Sequence, residues 1–154
     1  MKLKIVCAGK IKEKWLKEGI AEYIKRLSKY CTVEIIEVND SPDTLPPQKA
    51  LEEEGRLMLS KIKSDDYVWM MDLHGKLMTS EEISDELIAG FEKGGSTLTV
   101  VIGGSNGLSP ELVKRADKRI CLGNITLTHQ MTRLILLEQV YRGFKIAGNE
   151  KYHK

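Results

Sequence analysis

Leu98-Thr99-Val100-Val101-Ile102-Gly103-Gly104-Ser105-Asn106-Gly107-Leu108-Ser109-Pro110-Glu111 decides the fold. A short apolar, β-branched run bounded by turn residues suits a strand covered on both faces. It leads straight into a glycine turn. Ser109-Pro110-Glu111 then offers an N-cap, a proline at the first helical position and an acid in the first turn. A strand that hands over to a helix in this way is half of a βαβ unit, and such units build parallel sheets.

Outward from this stretch the alternation repeats. On the amino-terminal side, Leu3 to Ala8 reads as a first strand ending at Gly9. Lys14 to Leu27 reads as a helix with a stripe of Trp15, Ile20, Tyr23, Ile24 and Leu27, and Thr32 to Val38 as a second strand. Asn39 to Pro47, with Pro42, Pro46 and Pro47, reads as a mobile loop, because proline removes backbone donors and opposes helix. A polar helix follows from Gln48 to Ile62, with Leu51, Leu57, Met58 and Ile62 on its stripe. Tyr67 to Met71 is apolar on both faces, as a central strand should be. Thr79-Ser80-Glu81-Glu82 matches a capping box, so a helix should start there, run through Ile83, Leu87 and Phe91, and stop at Gly94-Gly95. On the carboxyl side, a short strand at Ile120 to Leu122 precedes the turn-like Gly123-Asn124. The last helix covers His129 to Ala147, with Leu134, Leu137, Tyr141 and Phe144 on one stripe. The expectation is one α/β domain over residues 1–154, a mainly parallel sheet covered by helices.

The chain's 154 residues suit a single core, and 42% hydrophobic with 30% charged residues is a globular composition. No apolar run approaches membrane-spanning length, and Met1 to Val6 lacks the apolar core of a signal peptide, so a cytoplasmic protein with no membrane partner is expected. Cys7, Cys31 and Cys121 are odd in number and far apart, which argues for reduced, buried thiols over a disulfide framework or a zinc site. His74, His129 and His153 have no ligand-like spacing, and no metal is expected. The net charge of +2 hides a division. Residues 1–31 carry nine Lys or Arg against three acids, residues 32–107 six against fifteen, and residues 108–154 nine against four. If the two basic ends meet on one face, that face attracts polyanions. Ordinary solvated helix faces are the alternative.

In an open parallel sheet, ligands bind beyond the carboxyl ends of the strands. Three features converge there: Met71-Asp72-Leu73-His74-Gly75, the loop from Gly103 to Gly107, and the turn from Leu122 to Thr128. The glycine loop is neither G-x-G-x-x-G nor a phosphate loop, since no Lys-Ser or Lys-Thr pair follows its last glycine. The residues alone support an adenosine-sized pocket made largely of main chain, with chain-reversing turns as the alternative. The last helix is unusual in that His129, Arg133, Glu138, Arg142 and Lys145 interrupt an apolar sequence. Arg133 and Arg142 lie nine residues apart, two and a half turns, so these side chains serve different surfaces: one set toward the ligand edge, another toward a partner or substrate. The terminal segment from Asn149 to Lys154 either joins them or frays.

Met-Lys-Leu-Lys-Ile-Val-Cys-Ala-Gly-Lys at the start, Val-Ile-Gly-Gly-Ser-Asn-Gly-Leu-Ser at 101–109, Thr-His-Gln-Met-Thr-Arg at 128–133, Glu-Gln-Val-Tyr-Arg at 138–142 and the final Tyr-His-Lys together resemble the bacterial large-subunit rRNA pseudouridine N3-methyltransferases, a SPOUT-class family. The likeness spans the chain in order. It implies a trefoil knot between about Val101 and Ala147, which general folding rules would not suggest. It also implies a homodimer, a ribosomal RNA substrate and S-adenosylmethionine as cofactor; a chain this small cannot enclose much RNA, so recognition of an assembled ribosomal surface is expected. Carried over by residue, cofactor contacts fall on Met71, Gly103, Leu122, Gly123, Asn124, Ile125, Thr126 and Leu127. Where the family has Pro before the histidine of the 128–133 motif, this chain has Thr128, which loses a fixed φ and gains a capping hydroxyl. A sulfonium methyl donor is already electrophilic, so such a site has to align the acceptor nitrogen and exclude water. The N3 proton must leave, which calls for a base or a stabiliser of the anion. His153 is the candidate base or orienting group, and Arg142 and Tyr152 the candidates for holding the nucleotide. Lys10, Lys12, Lys14, Arg142, Lys145, Lys151 and Lys154 are candidate phosphate contacts. A protein this small should read the RNA across the dimer, with one subunit's tail near the other's cofactor. Two other classes remain open on the sequence: another nucleotide-cofactor α/β enzyme using NAD or ATP, and a non-catalytic ribosome-binding factor of the same fold.

Overall fold

The computed structural model describes residues 1–154. Its elements alternate strictly: β1 (Lys2–Ala8), α1 (Lys14–Leu27), β2 (Thr32–Val38), α2 (Pro47–Leu59), β3 (Tyr67–Leu77), α3 (Ser80–Lys93), β4 (Thr97–Ile102), α4 (Pro110–Arg115), β5 (Lys118–Cys121) and α5 (His129–Ala147). All five strands pair in parallel, in the order β2-β1-β4-β3-β5. The central strands are buried on both faces because their side chains alternate between two cores. Leu3, Ile5, Cys7, Trp69, Leu98 and Val100 face the larger core, which α1, α3 and α5 cover. Val6, Ala8, Val68, Met70 and Val101 face a smaller core under α2 and α4.

Local chemistry sets most boundaries. Thr79 caps α3 with a complete capping box, its side chain accepting from Glu82 N–H while the Glu82 carboxylate accepts from Thr79 N–H. Ser109 caps α4 ahead of Pro110. Thr128 caps α5, its hydroxyl accepting from Met131 N–H at 3.2 Å, so the departure at this position supplies the expected cap. The three cysteines are free and buried, and burial pushes the Cys7 and Cys31 thiols up to about 11.

Four expectations need correction. Trp15 is 57% exposed and Leu16 takes its place in the core, because α1 turns its first two residues toward solvent before the buried stripe of Leu16, Ile20 and Leu27 begins. Pro47 opens α2 instead of closing the loop, since the first helical position needs no amide hydrogen. Glu54 and Gly55 are buried on α2, while Leu51 and Leu57 are only half-buried. β3 continues past Met71 to Leu77, with a register shift between Met71 and Lys76 where it pairs with β5. Gly75 allows this: a Cβ there would stand 2.6 Å from the Arg119 carbonyl carbon.

The basic residues of α1, α5 and the tail share one layer, whereas Lys114 and Arg115 of α4 and Lys118 and Arg119 of β5 lie outside it. α1 packs on α5, and the tail folds back so that the Tyr30 hydroxyl donates to Glu150 Oε1 at 2.6 Å. No helix is long and apolar enough to cross a membrane.

Candidate functional site

Pairing between β3 and β4 ends with Met71 opposite Ile102, where β4 stops and β3 runs on to Leu77, and β5 flanks β3 on its other edge. The outer part of β3 and the turns that leave β4 and β5 line a cavity of about 750 Å³, within the usual range for small-molecule sites. Met71, Gly103, Leu122, Gly123, Ile125, Thr126 and Leu127 line it, as do Ser105, Asn106 and Gly107 of the glycine loop. Asn124 does not line it. The sequence therefore brings seven of the eight candidate cofactor residues to one cavity, and the turn of 122–127 presents Asn124 elsewhere.

The glycine loop is a close-fitting cradle. A Cβ on Gly103 would stand 2.5 Å from Gly107 O, and one on Gly104 would stand 2.6 Å from Glu54 Oε2. Gly107 adopts φ +88°, open to glycine at no steric cost. Glu54, behind the loop, is 5% exposed, and its carboxyl is raised by burial and by the neighbouring Asp40 charge. Across the cavity, Asp72 is held by Arg119 at 2.7–2.8 Å and accepts from His74 N–H, so its charge is already matched. A wall of main chain, apolar Met71, Ile102 and Leu122, and one balanced ion pair fits a flat adenosyl group better than a polyphosphate, which would need unpaired cations.

The first turns of α5 close the cavity. His129, Gln130 and Thr132 line it, and His129 Nε2 is buried without a partner. Burial, then the Arg133 cation, lowers the His129 pKa against the opposing pull of Asp40, so the imidazole is neutral at pH 7. Arg133 is 1% exposed. Its guanidinium donates to Ala8 O and Gly9 O at 2.7 Å and to Glu37 at 2.8 Å, tying the start of α5 to the ends of β1 and β2. Sequence reading recognised Arg133 as anomalous on its helix, but only the fold shows that it points inward.

Arg142, Tyr152 and His153 form a separate group. The Arg142 guanidinium lies 4.7 Å from the Tyr152 ring centroid, and its Nη1 is 3.4 Å from His153 Nδ1. Glu138 joins the group by pairing with Arg142 and accepting from the Tyr152 hydroxyl at 3.2 Å. His153 Nε2 meets Glu81 Oε1 at 2.8 Å. Tyr152 packs edge-on against Tyr141, and burial raises its phenol pKa. The tail is thus docked along α5. None of the three lines the cavity of the same chain: at 1.5 Å per residue, Arg142 stands about 20 Å along α5 from His129. Glu138 and Glu81 are the site residues that sequence reading did not assign, although Glu138 was visible as a charge on an apolar helix.

A family model described as predicted SPOUT methyltransferase matches residues 1–153. Among curated proteins, the ribosomal RNA large subunit methyltransferase H 1 of Clostridium perfringens is 49% identical over 159 residues, covering all of both chains. The ribosomal RNA large subunit methyltransferase H of Ligilactobacillus salivarius is 48% identical with the same coverage. Among solved structures, a probable methylase family protein of Haemophilus influenzae superposes with TM-score 0.57 at 15% identity, over 96% of this chain and 66% of that one. TrmJ from Z. mobilis does so with TM-score 0.52 at 13% identity, over 93% and 70%. The structural likenesses speak to the fold, and the full-length matches speak to descent: the chain belongs to the SPOUT methyltransferase family.

Proposed function

We propose that this chain is an S-adenosylmethionine-dependent methyltransferase that acts on N3 of a pseudouridine in large-subunit ribosomal RNA. On this reading it works in the cytoplasm as a homodimer on assembled ribosomes, with the path from about Val101 to Ala147 knotted. The observation that carries the reading is the cavity itself: the outer part of β3 and the turns after β4 and β5, lined by seven of the eight residues to which the family resemblance assigns the cofactor, in a chain about half identical to large-subunit rRNA methyltransferases.

When bound, S-adenosylmethionine supplies an electrophilic methyl group. The turns at 103–107 and 122–127 would hold the adenosyl part by main-chain contacts, and Met71 and Leu122 would shield it from water. Met71 is 9% exposed and Leu122 half-buried. The tail group of the partner subunit would complete the site. Its Arg142 can hold the uracil-like ring or stabilise the N3 anion. His153 is engaged at both ring nitrogens, by Glu81 and by Arg142. With Nε2–H donating to Glu81, Nδ1 is the basic nitrogen. It accepts a substrate proton once Arg142 turns to the nucleotide. Glu81 then balances the imidazolium, as a carboxylate behind a catalytic histidine does.

The test is methyl incorporation from labelled donor into ribosomes from cells lacking this protein, with mass mapping of the modified nucleotide. The expected product is one methyl group on a large-subunit pseudouridine. Salt-sensitive ribosome binding without incorporation would instead identify a non-catalytic factor. Calorimetry showing tight binding of NAD or ATP and none of S-adenosylmethionine would identify another nucleotide enzyme.

A further inference from the structure

A second groove, of about 400 Å³, opens between α1 and β2 at the same carboxyl edge of the sheet as the large cavity. Its floor is apolar, from Ile11, Ile20 and Ile35, and its rim carries the exposed ammonium groups of Lys10 and Lys17. The buried Arg133 lines one end with Glu37, and the Arg133 Nε–H has no acceptor. His129 faces the large cavity and Arg133, one turn on, faces the groove.

We propose that this groove takes one unstacked nucleotide of the RNA substrate that flanks the target, its phosphate on Lys10 and Lys17 and its base on the isoleucine floor. The proposal rests on the rRNA methyltransferase reading and adds a place for the substrate that no residue of the catalytic tail supplies. Charge complementarity selects the occupant. Glu18 is taken by Lys14 and Glu37 by Arg133, and Glu13 does not line the groove, which leaves the two rim lysines to attract an anion. An apolar floor under paired cations suits a base joined to a phosphodiester, the combination by which single-stranded RNA is held. A purely apolar partner would leave both ammonium groups unmatched.

Two variants test this: Lys10→Ala with Lys17→Ala, which removes the rim, and Ala21→Trp, which fills the groove from an exposed position of α1. Both are compared with wild type for KM on ribosomes, kcat, S-adenosylmethionine affinity by calorimetry, and sedimentation. The double alanine variant should lower the slope of log affinity for ribosomes against log salt by about 0.7, the loss of one single-strand phosphate contact. Ala21→Trp should raise KM at least about fivefold, the low end of a base contact, while kcat and cofactor affinity stay at wild-type values. An unchanged salt slope and KM, in a wild type that methylates ribosomes, overturns the groove alone. A wild type that transfers no methyl group overturns the functional reading and the groove with it. A shift in sedimentation would assign the groove to a second copy of the chain and also overturn the proposal.

Discussion

At the scale of single residues, glycine has two different meanings within one cavity. Gly103 is packed against main chain, so Gly103→Ala forces the loop apart, and overpacking of this kind costs about 1–3 kcal/mol. Gly123 lines the same cavity, yet a Cβ there would meet only Ile125 at 3.9 Å. Calorimetry should show S-adenosylmethionine affinity reduced roughly fivefold to a hundredfold by Gly103→Ala and nearly unchanged by Gly123→Ala. Equal losses would mean that the glycine loop is not the cradle. Away from the site, Lys4 on β1 is 7% exposed, and its ammonium donates to Asp66 at 2.6 Å and to Lys61 O at 3.0 Å. Burial pushes the Asp66 carboxyl up, but the hydrogen bonds from Lys4 and from Lys63 N–H outweigh it and hold the pKa below its usual value. A depressed carboxylate stabilises the fold in full above its unfolded pKa, about 4, and that stabilisation is lost as pH falls through the folded value. Denaturation followed from pH 7 to pH 2 should therefore show a steeper acid limb for wild type than for Asp66→Asn. Lys4→Met should cost about 3–5 kcal/mol at pH 7, because it strands a buried charge. The sequence shows that Lys4 interrupts an apolar strand, but its partner is 62 residues away and only the packing of the loop before β3 reveals it.

At the scale of elements, boundaries written in local chemistry were legible, and orientations decided by tertiary packing were not. The caps at Thr79, Ser109 and Thr128 each rest on a side chain and an amide within a few residues, so the chain itself carries the signal. Trp15 fits a helical stripe as well as Leu16 does, and only docking of α1 on α5 and the sheet decides which one is buried. The extension of β3 was illegible for the same reason, since Asp72 to Gly75 look like loop residues and pairing with β5 resumes only beyond them, at Lys76 and Leu77. Thr128 shows how a cap can be exchanged. Its φ of −63° already suits proline, while its hydroxyl caps Met131. Thr128→Ala loses the cap and should cost about 1 kcal/mol. Thr128→Pro, the residue the family resemblance leads one to expect, loses the same cap but restricts the unfolded chain, a gain of about 0.4–1 kcal/mol. Thermal unfolding should place the proline variant between wild type and the alanine variant. A proline variant less stable than the alanine one would show that the turn before α5 needs the Thr128 amide.

For the whole molecule, the two halves of the proposed active site stand about 20 Å apart along α5 in one chain, so a single subunit does not complete it. The cavity was legible because strand ends and glycines mark it, and Arg142 and Glu138 were legible as charges on an apolar helix, whereas Tyr152 and His153, beyond the end of that helix, were reached through the family resemblance. The separation of cavity and tail group was expected from the nine residues between Arg133 and Arg142, and the fold adds which end of the 19-residue helix faces the sheet edge. A symmetric dimer resolves the geometry if each tail serves the partner's cavity, because a two-fold interface makes every such exchange reciprocal. Mixing two inactive variants decides the matter. Gly103→Trp should block the cavity, by extension of the clash that a single Cβ already meets, while its tail remains intact. His153→Ala removes the ring that bridges Arg142 and Glu81 while its cavity remains intact. In a one-to-one mixture that exchanges subunits freely, half of the dimers are mixed, and each mixed dimer holds one complete site and one doubly defective site. Activity should then return to about a quarter of wild type when the tail acts across the interface. If cavity and tail of one chain worked together, every site in the mixture would carry a lesion and no activity would return. Sedimentation of the mixture, alongside each variant alone, shows that loss of dimerisation is not what silences them.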